Sequence, residues 1–226
     1  MLVFDPKEPY PHRPLDEVPY AEAQAHSDQV DQWLGLQTVE IEKALSKGSL
    51  GSVAPEKAHQ LWIGLPVKSM LTPYTELRFL LEYLKPEPGQ AVVDLGAGYG
   101  RMGFVAGSHF QGVRFVGYEF VPERVNEGRR CLGRFSFPGV ELLQADLESP
   151  EFSPEPAEYY FLYDYGTRRA IEKTLLDLQR IAQSRPITVV GRGRASRDAI
   201  ERAHPWLSAV VTPEHFAHFS IYRSAV

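Results

Sequence analysis

The sequence predicts a doubly wound α/β protein, a mostly parallel sheet with helices on both faces, preceded by a helical N-terminal layer. Three observations carry this. From about residue 70 onward, short apolar runs alternate with amphipathic stretches of helical period. The first such run leads into a glycine-rich turn, Val92-Val93-Asp94-Leu95-Gly96-Ala97-Gly98-Tyr99-Gly100-Arg101, whose bare backbone suits a close approach to a ligand before a helix begins. Four of the runs end in acids, namely Asp94, Glu119, Asp146 and Asp164.

Composition narrows the function. The 226 residues fit one substantial domain with an appendage. A net charge of −5 gives no basic field for gripping a phosphate backbone, so nucleic acid is an unlikely partner and small molecules or proteins are expected instead. The single cysteine, Cys131, excludes an internal disulfide framework and reads as a small buried residue. Charge and proline interrupt the first residues before a signal core forms, and no apolar run reaches membrane-spanning length; a soluble, cytoplasmic protein is expected.

Residues 1–26 carry five prolines, at 6, 9, 11, 14 and 19, which forbid a helix and imply an extended arm, packed down through Tyr10 and Tyr20. From Ser27 to Lys47, Val30, Trp33, Leu34, Ile41 and Leu45 trace one amphipathic helix closed by Gly48, and a second short helix is expected from Pro55 to Ile63. Next, Thr72 reads as a helix cap with Pro73 in the first position, and Leu77, Leu80, Leu81 and Leu84 as the apolar stripe. This helix enters the first strand directly, so Thr72, Tyr74 and Glu76 can overhang the ligand crevice.

Beyond the glycine turn, residues 113–119 form a second strand ending at Glu119, 25 positions after Asp94. A carboxylate at about that offset takes ribose hydroxyls in nucleotide folds. Phe120 and Val121 offer apolar surface, and Pro122 opens a helix. Residues 140–147 and 158–166 supply a third and a fourth strand, ending at Asp146-Leu147 and Asp164-Tyr165-Gly166. A helix from Arg168 to Gln183 precedes a fifth strand, Ile187 to Val190, which runs into Gly191-Arg192-Gly193-Arg194. Those two arginines are either a solvated loop or a clamp for an anionic acceptor group. After a helix from Ser196 to Ala203, extended runs at 209–212 and 216–222 suggest a terminal hairpin. His204, His215 and His218 read as structural or surface residues.

Asp94 ahead of Gly96-x-Gly98-x-Gly100 resembles the first motif of class I S-adenosylmethionine (SAM)-dependent methyltransferases, and the acidic strand ends follow that family's order. The resemblance covers about residues 70 to 226 and implies a Rossmann-like fold of seven strands with a C-terminal antiparallel hairpin. It implies SAM as cofactor, without a metal, bound by Thr72, Tyr74, Asp94, Gly96, Ala97, Gly98, Gly100, Glu119, Phe120, Asp146, Leu147 and Asp164. Glu119 would take the ribose, and Asp146 with Leu147 the adenine. Asp164 would orient the acceptor or take its proton, and Tyr165 would stack on it or hydrogen-bond to it. Asp164-Tyr165-Gly166 lacks the two prolines of nucleobase and glutamine amino-methyltransferases. Thr-Pro-Tyr-x-Glu is locally similar to a stretch of certain non-SET lysine methyltransferases. Residues 1–69 are then an arm and helical lid or substrate layer, and 70–226 the SAM-dependent methyltransferase domain. The acceptor, a protein side chain or a small molecule, stays open, as does oligomeric state. A non-catalytic SAM-binding regulator is one alternative, and an NAD-dependent oxidoreductase, supported only by Gly98-x-Gly100-x-x-Gly103, is another.

Overall fold

The computed structural model describes residues 2–48, 62–66 and 70–225. Most of the helix expected at 55–63 lies outside them. In chain order the elements are α1 (Tyr20–Leu34), α2 (Thr38–Ser46), α3 (Tyr74–Leu84), β1 (Ala91–Leu95), α4 (Arg101–His109), β2 (Arg114–Glu119), α5 (Pro122–Leu132), β3 (Val140–Gln144), β4 (Tyr159–Tyr163), α6 (Arg168–Ala182), β5 (Thr188–Arg192), α7 (Arg194–Ala203), β6 (Glu214–His215) and β7 (Phe219–Arg223). The seven strands lie in the order β3-β2-β1-β4-β5-β7-β6. Strands β1 to β5 pair in parallel, and β7 runs antiparallel to both β5 and β6.

Strand β1 sits mid-sheet between β2 and β4, where the strand order reverses, and crevices open at such a switch point beyond the carboxyl ends. Its alternation sorts the core. Val92 faces the side covered by α3, α4 and α5, with Leu80, Phe104, Phe115 and Val125. Val93 and Leu95 face the side covered by α6 and α7, with Leu175, Leu178, Val189 and Ile200. Both sides are buried, so the parallel strands read as continuous apolar runs.

The N-terminal layer joins the first of these cores through Tyr10, Val30, Leu34 and Leu36. In place of one helix from Ser27 to Lys47 there are two, and the first begins at Tyr20, directly after Pro19. Gly35 breaks the run at φ 68°: its amide reaches the Gln32 carbonyl at 3.1 Å, and the Leu36 amide reaches that of Asp31 at 2.9 Å. That pairing, with Leu36 buried behind it, is a glycine-centred helix stop.

Two other boundaries differ from expectation. Thr72 does not cap α3; Pro73 stands at the cap, and the Tyr74 amide donates to Ser27 Oγ of α1 at 3.1 Å. The outer strand of the hairpin falls on Glu214–His215, in the expected connection, while Val210 and Val211 lie exposed in the loop before it. No described helix is long and apolar enough to cross a membrane.

Candidate active site

The glycine turn is held by β2. The amides of Gly96 and Ala97 both donate to the Tyr118 carbonyl at 2.9 Å, and the Gly98 amide donates to Glu119 Oε2 at 3.0 Å. Gly96, Gly98 and Gly100 have φ of 91°, 56° and 75°, values that side-chain-bearing residues rarely adopt. A Cβ on Gly96 would also stand 2.9 Å from Tyr165 Cβ, so the bare backbone is what lets the chain leaving β4 lie against the turn.

Above this turn opens a crevice enclosing about 1340 Å³, open to solvent. It brings together Thr72, Asp94, Gly96, Ala97, Gly98, Glu119, Phe120, Asp146, Leu147, Asp164 and Tyr165, eleven of the thirteen residues expected from sequence. Tyr74 and Gly100 stand back from it. Tyr74 is fully buried, its hydroxyl donating to Asp31 Oδ1 at 2.8 Å under the Arg101 guanidinium, so it is a core residue of the α1–α3 contact rather than a ligand contact. Gly100 caps α4, where a Cβ would press on Leu142.

The acids are unlike one another. Asp94 has no hydrogen-bond partner given by a described residue, and burial together with the Glu119 charge pushes its carboxyl up to about 7. Glu119 is buried and accepts from the Val121 amide at 2.8 Å as well as from Gly98. Asp146 accepts from the Glu148 amide through Oδ1 at 3.0 Å.

Asp164 departs from its expected role. Its Oδ2 accepts from the Ala195 amide at 3.1 Å and its Oδ1 from Ser196 at 2.7 Å, so the carboxylate is the cap at the start of α7. This explains Gly193: a Cβ there would fall 2.3 Å from Asp164 Oδ2. Tyr165 keeps its ring at the crevice, but its hydroxyl is turned to Thr174 on α6 and away from any acceptor. Both expected catalytic side chains therefore have their polar atoms engaged by the fold.

The arginines at the crevice are engaged as well. Arg101 pairs with Asp31, and its Nη1 donates to the Thr72 carbonyl at 3.1 Å. Arg124 makes a bidentate pair with Glu42 at 2.7 and 3.0 Å. Arg192 is neither a solvated loop residue nor an open clamp: Nε and Nη2 donate to Glu76 at 2.6 and 3.3 Å, with the guanidinium carbon 4.5 Å from the Tyr163 ring centre. Glu76 accordingly faces Arg192. Trp62, Met70, Leu71 and Tyr163 line the crevice without having been expected there. Nothing local marks them, since their placement follows from contacts distant in sequence.

This chemistry fits SAM better than a dinucleotide. Carboxylates ring a bare glycine turn, and the arginines that a pyrophosphate needs are already paired within the fold. Among solved structures, the chain is similar to TrmN from Thermus thermophilus, with a TM-score of 0.53 and 16% identity over 70% of this chain and 50% of that one. It is similar to precorrin-6y C5,15-methyltransferase from Geobacter metallireducens GS-15, with a TM-score of 0.53 and 16% identity over 71% and 92%. It is also similar to an RNA methyltransferase from Salinibacter ruber in complex with S-adenosyl-L-homocysteine, with a TM-score of 0.50 and 23% identity over 68% and 92%. The chain spans half the length of the first of these. No family model and no curated protein matches it by sequence. The fold is the Rossmann-like α/β fold of class I SAM-dependent methyltransferases.

Proposed function

We propose that the protein is a SAM-dependent methyltransferase. The observation that carries this reading is the acid-ringed crevice at the β1/β4 switch point, built on a glycine turn whose charge suits a sulfonium and an ammonium and not a pyrophosphate. Glu119 would hold the ribose hydroxyls, Asp146 and the Leu147 amide the adenine, and Asp94 the cationic end. Bound SAM supplies an activated methyl group. The chain supplies position and dryness: Leu71, Met102, Phe161 and Leu162 line the crevice with apolar surface, and apposition in a water-poor site is most of what methyl transfer requires.

The acceptor is open. Two of the similar structures carry names that point to acceptors as different as RNA and a precorrin, so the fold does not choose between them. It also removes the force of the expectation against nucleic acid, because an RNA methyltransferase has this fold. Titration calorimetry tests the reading: SAM and S-adenosylhomocysteine should bind in the micromolar range or tighter and NAD should not. NAD binding without SAM binding would overturn it.

A further inference from the structure

The wall of the crevice beyond Asp164, on the β4 and β5 side, is built from flat groups. Trp62 and Tyr163 both line it, their ring centres 6.4 Å apart and their planes inclined by 35°. That is just short of the roughly 7 Å that two van der Waals separations of about 3.5 Å require, so a small swing of Trp62 admits a third ring between them. Tyr163 is braced by a cation: the Arg192 guanidinium lies 4.5 Å from its ring centre and is itself fixed by Glu76 and by the Tyr20 hydroxyl at 3.2 Å. Met70, Leu77, Leu80, Phe161 and Val190 complete an apolar floor.

The charges on this wall argue against an ammonium acceptor. Asp164 on this wall is engaged by two backbone amides, and Glu76, which stands behind Arg192 and does not line the crevice, is engaged by that arginine. The Tyr163 ring already carries a cation, so a lysine ammonium approaching it meets a guanidinium. A planar conjugated ring meets aromatic faces and thioether instead.

We propose that Trp62 and Tyr163 form a stacking slot and that the methyl acceptor is a planar conjugated ring, either a free heteroaromatic compound or a base in a single strand. This rests on the SAM reading above. In the step it implies, a lone pair on the acceptor forms a bond to the methyl carbon while the carbon–sulfur bond breaks and its electron pair stays on sulfur. A proton carried by the acceptor atom leaves to water.

The test measures acceptor binding by calorimetry on protein saturated with S-adenosylhomocysteine. Quinolin-4-ol serves as the free ring, a short single-stranded RNA of mixed sequence as the strand, and N-acetyl-lysine methylamide as the non-planar comparison. At least one planar probe should bind, and which one does identifies the source of the ring. Trp62→Ala and Tyr163→Leu should each weaken that binding about tenfold, as loss of one stacking partner does, while Trp62→Phe retains it. Affinity for S-adenosylhomocysteine should stay within about twofold in all three variants, which also reports that they are folded. Binding of the lysine probe alone, binding of no planar probe, or equal binding by the variants would overturn the slot. A wild-type protein that fails to bind S-adenosylhomocysteine would overturn the methyltransferase reading first, and the slot with it.

Discussion

Replacing Asp94 with asparagine should stabilise the protein in the absence of ligand and cripple its binding of SAM. Burial and the neighbouring Glu119 raise the Asp94 carboxyl from 3.8 to about 7. A carboxyl raised by folding binds more protons in the folded state, so stability falls as pH rises from about 4 to about 7 and levels off above. At about 1.36 kcal/mol per pKa unit the ceiling is about 4 kcal/mol, and because Asp94 is only half-buried by surface area the expected effect is about 1–3, or about 2–4 °C in melting temperature per kcal/mol. Thermal melts of Asp94→Asn and wild type from pH 4 to 8 should therefore separate progressively with rising pH and coincide at the acid end. Calorimetry should show the reverse for SAM: wild-type affinity about tenfold weaker at pH 6 than at pH 8, because the carboxyl must ionise to meet a cation, and a weaker, flatter profile in the variant. An Asp94→Asn protein that melts at or below wild type at pH 8 would refute the argument that this acid is held ready for a positive ligand.

Glu119→Ala should weaken S-adenosylhomocysteine binding by about 1.5–3 kcal/mol, the range for hydrogen bonds to a charged group, in a folded protein; unchanged calorimetric affinity would place the ribose elsewhere. Gly96→Ala should abolish that binding, because the new Cβ meets Tyr165 at 2.9 Å and the φ of 91° is strained; a variant that binds normally would show that the turn and Tyr165 move independently. Asp164→Asn should cost about 0.5–2 kcal/mol in thermal unfolding, since an amide accepts from only one of the two α7 amides; a loss of turnover at unchanged stability would restore Asp164 as a base.

The sheet was legible because buried parallel strands are continuous apolar runs, and Val92-Val93, Phe115-Val116 and Phe161-Leu162 are that. The acids at their ends were legible because the crevice lies where those strands stop. What sequence hid were pairings across long separations. Arg192 and Glu76 lie 116 positions apart, and neither carries a local sign of the other, so one read as a solvated loop or an anion clamp and the other as crevice. Tyr74 sits in the right stretch but is drawn into the core by Asp31, 43 positions earlier. Asp164 shows the strand-end acid in its expected place with a different occupation, because Gly193 leaves the space that lets it reach α7. Gly35 was readable as a helix stop, yet the apolar period on either side of it outweighed the glycine.

The charges run across the boundary between the N-terminal layer and the sheet. Arg101 and Arg124 both stand at the crevice, and both are buried. Their partners, Asp31 and Glu42, come from α1 and α2, so the layer neutralises two positive charges that would otherwise face the ligand beside Asp94 and Glu119. Glu42 also accepts from the Tyr99 hydroxyl in the glycine turn at 2.8 Å. The layer thus sets the sign of the crevice from behind, while Trp62, Met70, Leu71 and Thr72 line it. A chain beginning at Met70 would leave the buried Arg101 guanidinium without a carboxylate and Arg124 with only Glu119, 3.7 Å away; the first loss alone costs about 3–5 kcal/mol, a large share of the stability of an ordinary domain, and the apolar contacts of Tyr10, Val30 and Leu34 go with it. Circular dichroism should find that chain unfolded. If it melts cooperatively and still binds S-adenosylhomocysteine, the layer is a separable lid, and the acidity of the crevice does not depend on it.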